Sequence, residues 1–408
     1  MPRQNQRLWT VFFLVKSAND NILDLIRMVN EIRAIQMSSD VAVVFCLNVI
    51  KEFVPAVEKG DPELTNVKYG DTYTTRFYFL KQRNQICDGI SSDLEFLSGS
   101  DDFRLTDPDK VSEYFRNQVL EFKAKKYMLI TWDHANAFET FSDGPGFKKR
   151  LTIVKQSGVD TLTMDELAAA IGWAFRGKKI DVLIMCNCYM QSIETSYALR
   201  NHVKFVIAPE RKIFFSGYNY PYIFELINKK PNIGPRKISK AVVDSFELKE
   251  YPDGIDYDRN NTDLFANNLR FINILFQIVG QIALHLSREN LLNREKIKNA
   301  REASLVSVAD HLIDFTNFIT VLNEANMFSD APYIPQLYFT IIKELKIREF
   351  VGRDVKNQHN GLSTFFPSVW FANSSRRDFK QFFKTSFWNH SNWSEFVHRY
   401  IYPEGRGD

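Results

Sequence analysis

Ile180–Glu194 reads I-D-V-L-I-M-C-N-C-Y-M-Q-S-I-E, and its reading decides the fold. Ile180–Met185 is a short apolar run of the kind that forms a strand buried on both faces. Cys186 and Cys188 stand at its far end, where a helix-like pattern begins. In open α/β sheets, chemistry collects beyond the carboxyl ends of the strands. A thiol there is placed to meet a substrate. A second run, Tyr127–His134 (Y-M-L-I-T-W-D-H), ends in a histidine. Two strand ends, one carrying Cys and one His, make a candidate nucleophile–base pair.

Working outward, short apolar runs alternate with helical patterns through the first two-thirds of the chain, the signature of a sheet covered by helices. Strands are expected at Trp9–Val15, Val41–Asn48, Thr74–Leu80, Tyr127–Thr131, Asp181–Met185 and Val203–Ala208. Ile22, Leu25, Ile26, Val29 and Ile32 mark a helical face within Asn21–Ile35. Asp107-Pro108 and Thr163-Met-Asp-Glu166 read as helix starts. Beyond Asp263, Leu264–Leu286 and Ile297–Leu322 read as long helices, and a strand returns near 362–366. The polar segment Tyr251–Asn261 suggests a boundary near residue 255, dividing the chain into 1–255 and 256–408.

Composition narrows the function. The 408 residues suffice for about two or three domains, and 35 Phe imply large aromatic cores. Lys+Arg of 52 against Asp+Glu of 49 is too balanced to argue for a nucleic-acid or membrane partner. Phe271–Leu286, interrupted by Asn273, Gln277 and Gln281, reads as too short and polar to span a bilayer. Four cysteines form no disulfide framework. Trp9–Val15 is too short for a secretory signal core. The expected location is therefore cytoplasmic, or secreted if the sequence begins part-way along a longer chain.

Several segments together resemble the clostripain-like cysteine peptidases, a caspase-like family grouped with gingipains, legumain and separase. Trp9–Leu23 is similar to the family's opening strand and Asn/Asp-rich turn, and Ala124–His134 to its histidine strand. Cys188-Tyr-Met190 with Glu194 matches the spacing Cys-x-Met-x-x-x-Glu. Ser216-Gly-Tyr-Asn-Tyr220 resembles a Gly-Trp-x-Tyr loop, with Tyr218 in the Trp place. Gly361–Pro367 and Trp393–Tyr400 resemble the late segments.

The resemblance implies a caspase-like α/β/α sandwich with a mostly parallel sheet, plus a mainly α-helical C-terminal domain. It implies a cysteine endopeptidase acting on a peptide or protein substrate. Cys188 is then the nucleophile, His134 its acid/base partner, and the N–H groups of Ala135 and Cys188 the oxyanion donors. Cys186 and Tyr218 line the substrate-binding region. Lys148, Lys149 and Arg150, in the loop after the histidine, are candidate self-cleavage sites. Two positions depart from the family pattern. Ala135 stands where the family has Gly, so an oxyanion hole that needs a Gly-only conformation would be strained. Cys186 stands where the family carries the Asp that selects Arg or Lys before the cut.

The residues alone keep other readings open. Cys186 could be the nucleophile, or Cys186 and Cys188 redox or metal partners, although no second Cys/His cluster accompanies them. A catalytically degenerate protein that binds peptides or partners fits the two departures, and a latent intracellular peptidase awaiting an activating partner fits the lack of a recognisable secretory signal. No cofactor is expected. Calcium enters by family resemblance only, and no Asp/Asn-rich loop has calcium-ligand spacing.

Overall fold

A computed structural model of the chain describes residues 6–17, 21–66, 72–87, 89–136, 139–142, 161–213, 218–249, 260–306, 311–355, 360–369, 382 and 385–403. Its strands in chain order are β1 (Arg7–Lys16), β2 (Val41–Ile50), β3 (Tyr73–Cys87), β4 (Ile90–Ser100), β5 (Ala124–Trp132), β6 (Ala135–Asn136) and β7 (Glu139–Ser142). They continue as β8 (Thr161–Thr163), β9 (Ile180–Cys186), β10 (Val203–Ala208), β11 (Asp263–Asn268), β12 (Leu312–Asp314), β13 (Lys346–Val351) and β14 (Ser363–Phe365). The helices begin with α1 (Ile22–Arg33), α2 (Val54–Lys59), α3 (Pro108–Glu121), α4 (Met164–Ala174), α5 (Ile193–Leu199), α6 (Tyr220–Lys229) and α7 (Pro235–Leu248). Beyond them lie α8 (Ile272–Ala303), α9 (Phe315–Glu324), α10 (Tyr333–Leu345), α11 (Ser386–His390) and α12 (Asn392–Ile401).

Among the described residues the main sheet has nine strands in the order β13-β11-β10-β9-β5-β1-β2-β3-β4. Its centre, β10-β9-β5-β1-β2, is parallel, and antiparallel strands extend it at both sides. Central strands are covered on both faces, so they read as continuous apolar runs. Along β1, Trp9, Val11, Phe13 and Val15 join α1, α6 and α7 in one core, while Phe12 and Leu14 join α3, α4 and α8 in the other. The fold is an α/β/α sandwich with a helical C-terminal portion.

The six expected strands form, and both expected helix starts are capped. Asp107 accepts from the N–H groups of Asp109 and Lys110, and Thr163 and Glu166 make a reciprocal capping box. The late half differs from the periodicity reading. Asp263–Asn268 is a strand within the main sheet, whereas Leu264–Leu286 was expected to be one helix. The apolar triplet Leu264-Phe265-Ala266 runs almost directly into α8, and so short a run carries no period of its own. Ile297–Leu322 is likewise interrupted: α8 ends at Ala303, β12 intervenes, and α9 starts at Phe315. β14 forms where a late strand was expected, but it pairs with β12 in a separate two-stranded sheet. The strands that return to the main sheet are β11 and β13.

Leu269–Arg288 is, contrary to the sequence expectation, long and apolar enough to cross a bilayer by length and composition. Here Ile272, Leu275, Val279, Ile282 and Leu286 are buried, and α8 packs against α9, α10 and α12.

Gly361 introduces β14 with φ of +91°, and a Cβ there would stand 2.3 Å from the ring of buried Phe265. Gly361→Ala combines an unfavourable left-handed backbone with overpacking against a core ring. It is expected to lower unfolding free energy by about 2–4 kcal/mol, read as a shift in denaturant midpoint at unchanged slope.

Candidate active site

The pairing of β5 with β9 builds the site. The two strands run parallel, and their last paired residues are Trp132 and Cys186. His134 and Cys188 each follow two residues later, so both leave the sheet at the same level on neighbouring strands about 4.8 Å apart. The two residues that sequence reading singled out thus each follow, by two residues, the ends of adjacent strands.

Cys188 is half-buried. Its thiol donates weakly to the Ile213 carbonyl, with sulfur 3.8 Å from oxygen. Burial pushes this thiol above its ordinary value of 9.0; the Ile213 contact and Lys212 pull the other way, and the Asp133 carboxylate adds to the rise. The balance favours the neutral thiol, which must lose its proton before it can react as a nucleophile. Tyr189 follows in the left-handed region, φ +62°. Its N–H donates to the Arg211 carbonyl at 2.8 Å, and the N–H of Gln191 donates to the Pro209 carbonyl at 2.9 Å. These bonds fold the chain sharply back after Cys188 and leave it at the apex of the turn.

The far side of that turn is anchored by the late segment of the chain. Met190 is fully buried, and Ser192 caps α5 by accepting from the Thr195 N–H at 3.1 Å. Glu194 Oε1 accepts from the Thr364 hydroxyl at 2.7 Å and the Phe365 N–H at 2.9 Å. Ser363 donates from its N–H to the Gln191 carbonyl at 3.0 Å. Gln191 and the Glu of the sequence motif are thus the points at which β14 and the Cys188 turn are joined.

Ala135 lies in β6 and pairs with Thr140 of β7. It is not among the positive-φ residues, so at this position the strand geometry does not call for glycine. Cys186 and Tyr218 sit on the α1/α6/α7 side of the sheet, 1% and 0% exposed. The Tyr218 hydroxyl donates to the Met185 carbonyl at 2.9 Å. Burial holds the Cys186 thiol far above its usual range, so it stays protonated. Lys148, Lys149 and Arg150 lie outside the described residues.

Three contributors escaped the sequence reading. Asn187, between the two cysteines, is fully buried and hydrogen-bonded across the strand ends. Lys249, also buried, pairs with Glu31 at 3.4 Å and donates to the Tyr218 carbonyl at 3.1 Å, and its ammonium acts on the Cys186 thiol. Asn187 was visible only as a polar residue inside an otherwise chemical motif. Nothing in the local sequence pointed to Lys249 or Glu31. Among the described residues no group of three or more His, Cys, Asp and Glu side chains is arranged to hold a metal ion.

A family model described as the clostripain family matches residues 97–400. No curated protein matches the sequence. Among solved structures, an inactive zymogen C11 protease from Parabacteroides distasonis is 12% identical, with alignment covering 95% of this chain and 99% of that one at a TM-score of 0.60. The secreted C11 cysteine protease iotapain from Bacteroides thetaiotaomicron is 13% identical over 94% of this chain and 98% of that one, TM-score 0.62. A secreted C11 cysteine protease from the same organism, in complex with an irreversible peptide inhibitor, is 14% identical over 95% and 99%, TM-score 0.61. At such identities these likenesses establish the fold.

With burial dominating its environment, Cys188 is expected to react with iodoacetamide along a pH profile whose midpoint lies above 9. The buried Cys46 and Cys186 stay unlabelled until the protein unfolds. Peptide mapping of the alkylated protein at each pH reads both, and a Cys188 midpoint below 9 would contradict the assigned environment.

Proposed function

The chain belongs to the clostripain family and is a cysteine peptidase, and from its site we propose a cysteine endopeptidase that works through a Cys188 acyl-enzyme. The observation that supports this reading is the pairing of Trp132 with Cys186 at the ends of β5 and β9, two residues before His134 and Cys188 respectively. As substrate binds, His134 takes the thiol proton. The Cys188 sulfur then attacks the scissile carbonyl carbon, and the carbonyl oxygen becomes the oxyanion. The main-chain N–H groups of Ala135 and Cys188 are the proposed donors to it, in the role that fixed dipoles play most effectively. Collapse breaks the C–N bond, and His134 returns the proton to the departing amine. Water, deprotonated by the same imidazole, then hydrolyses the thioester and regenerates the thiol.

Two features bear on specificity and resting state. No carboxylate stands at position 186; the Lys249 ammonium and the Asp24 carboxylate both act on Cys186, and Lys249 is itself paired with Glu31 at 3.4 Å. A lysine or arginine side chain before the cut would therefore find no carboxylate at 186 to receive it. Uncharged residues before the cut are therefore the preferred substrates in this reading. The neutral resting thiol also favours an enzyme whose activity rises only when substrate or a partner reorganises the site, akin to the latent peptidase considered from sequence.

Peptidyl electrophiles bearing Arg, Lys, Asp, Leu or Ala at the recognition position discriminate these readings by intact mass. Leu or Ala probes are expected to label wild type and Cys186→Ala, and to fail with Cys188→Ala. Hydrolysis of the matching peptide should fall about 10²–10⁴-fold in His134→Ala and vanish in Cys188→Ala. Full hydrolysis by Cys188→Ala would sink the assignment. A folded wild type that no probe labels would leave the partner-binding reading in its place.

A further inference from the structure

The Asn187 carboxamide makes three hydrogen bonds, each to a different piece of the site. Its Oδ1 accepts from the Thr131 hydroxyl at 2.6 Å, near the end of β5. Its Nδ2 donates to the Asp133 carbonyl at 2.9 Å, immediately before His134, and to the Thr140 Oγ1 at 3.1 Å. Asn187 and Thr131 are 0% exposed and Thr140 is 1% exposed. Water therefore has little opportunity to substitute for these bonds, and losing one leaves a buried polar group unsatisfied.

Thr140 is the cross-strand partner of Ala135 in the β6–β7 pair. The carboxamide thus grips the short hairpin that carries His134 from both sides, through the residue before the imidazole and through the residue opposite Ala135. The other end of the grip is covalent, because the next residue is Cys188. We propose that Asn187 is the positioning residue of this site, fixing the His134 hairpin against the Cys188 turn through its contacts to Thr131, Asp133 and Thr140. The proposal rests on Cys188 and His134 being the catalytic pair.

The residue type is restricted by the partners. The Asp133 carbonyl only accepts, so whatever faces it must donate. Aspartate has no donor and would set a carboxylate against that carbonyl and beside the nucleophile. A leucine of similar shape would remove all three bonds. Losing these bonds removes part of what holds the chain at 133–135 against a shift of the fraction of an ångström that a nucleophile–base pair does not tolerate.

The test compares Asn187→Ala and the milder Thr140→Val, which removes one bond and keeps the carboxamide. Each is made with and without His134→Ala. Hydrolysis of the preferred peptide is followed together with iodoacetamide labelling of Cys188, and unfolding is monitored throughout. Asn187→Ala is expected to lower kcat about 10–100-fold, the range seen when outer-shell partners of functional groups are removed, with KM changing less than about threefold. Thr140→Val lowers kcat less. His134→Ala, which alters Cys188 labelling in the wild-type background, does so much less once Asn187 is gone, since contacting residues of one network are not additive. A folded Asn187→Ala protein with unchanged kcat, or with labelling effects that simply add to those of His134→Ala, overturns the proposal. Should Asn187→Ala not fold, an unchanged kcat in Thr140→Val overturns it. Hydrolysis retained by Cys188→Ala would instead overturn the catalytic assignment, and the labelling cycle still judges the clamp because it needs no peptide.

Discussion

The parallel pairing of Met128–Trp132 with Val182–Cys186 is the constraint on which the active end of this molecule depends. Side chains alternate across a strand, so a slip of one residue would turn Leu183 and Met185 toward α1 and α7, and Ile184 toward α4. Both cores forbid that slip, because each strand is buried on both faces. The packing of some hundred apolar side chains far from any chemistry therefore decides which residues leave β5 and β9 together. Once Trp132 lies opposite Cys186, the turns that carry His134 and Cys188 start from neighbouring strand ends.

Past the strand ends the sheet no longer supplies hydrogen bonds, and the loops must find others. Most of them are buried and come from distant parts of the chain. The Tyr189 and Gln191 N–H groups reach the segment after β10, Glu194 reaches β14, and Gly361 donates to Glu210 Oε2 at 3.0 Å. Burying Glu194 and Glu210 raises both carboxyl groups above their usual range through desolvation. That cost is tolerable only because donors at 2.7–3.0 Å receive them. The C-terminal half is thus bound into the Cys188 turn through polar contacts as well as through the two strands it adds to the sheet.

Much of this was legible in the sequence. A doubly buried strand announces itself by a continuous apolar run, and six such runs were found because Gly, Pro, Asn or Asp interrupts the chain around them. Cys188 and His134 stood out because a reactive residue at a strand end has few structural reasons to be there. Asp263–Asn268 was lost because Leu264–Ala266 merges with the apolar face of α8, and a triplet is compatible with either period. β13, K-I-R-E-F-V, was lost because it is an edge strand: one polar face in solvent removes the continuous run. Lys249 and Glu31 were illegible for a different reason. Their pairing spans 218 residues, and no local pattern encodes a contact that exists only after α1 and α7 pack on the same face.

The same reasoning explains why Cys186 and Cys188, two residues apart, differ so much. Cys186 is the last residue of β9 still inside the sandwich, so its side chain follows Val182 and Ile184 into the α1/α7 core. Cys188 lies beyond the last rung and packs only half-buried against the rim of that same core, with the left-handed Tyr189 turning the chain after it. One thiol is fixed as a packing group by sheet geometry, whereas the other stands at the margin of the core. The intervening Asn187 is held by its carboxamide, the bridge between the strand ends. Reading outward from the sheet, the three residues C-N-C therefore mark where packing stops, where polar positioning takes over, and where chemistry becomes available.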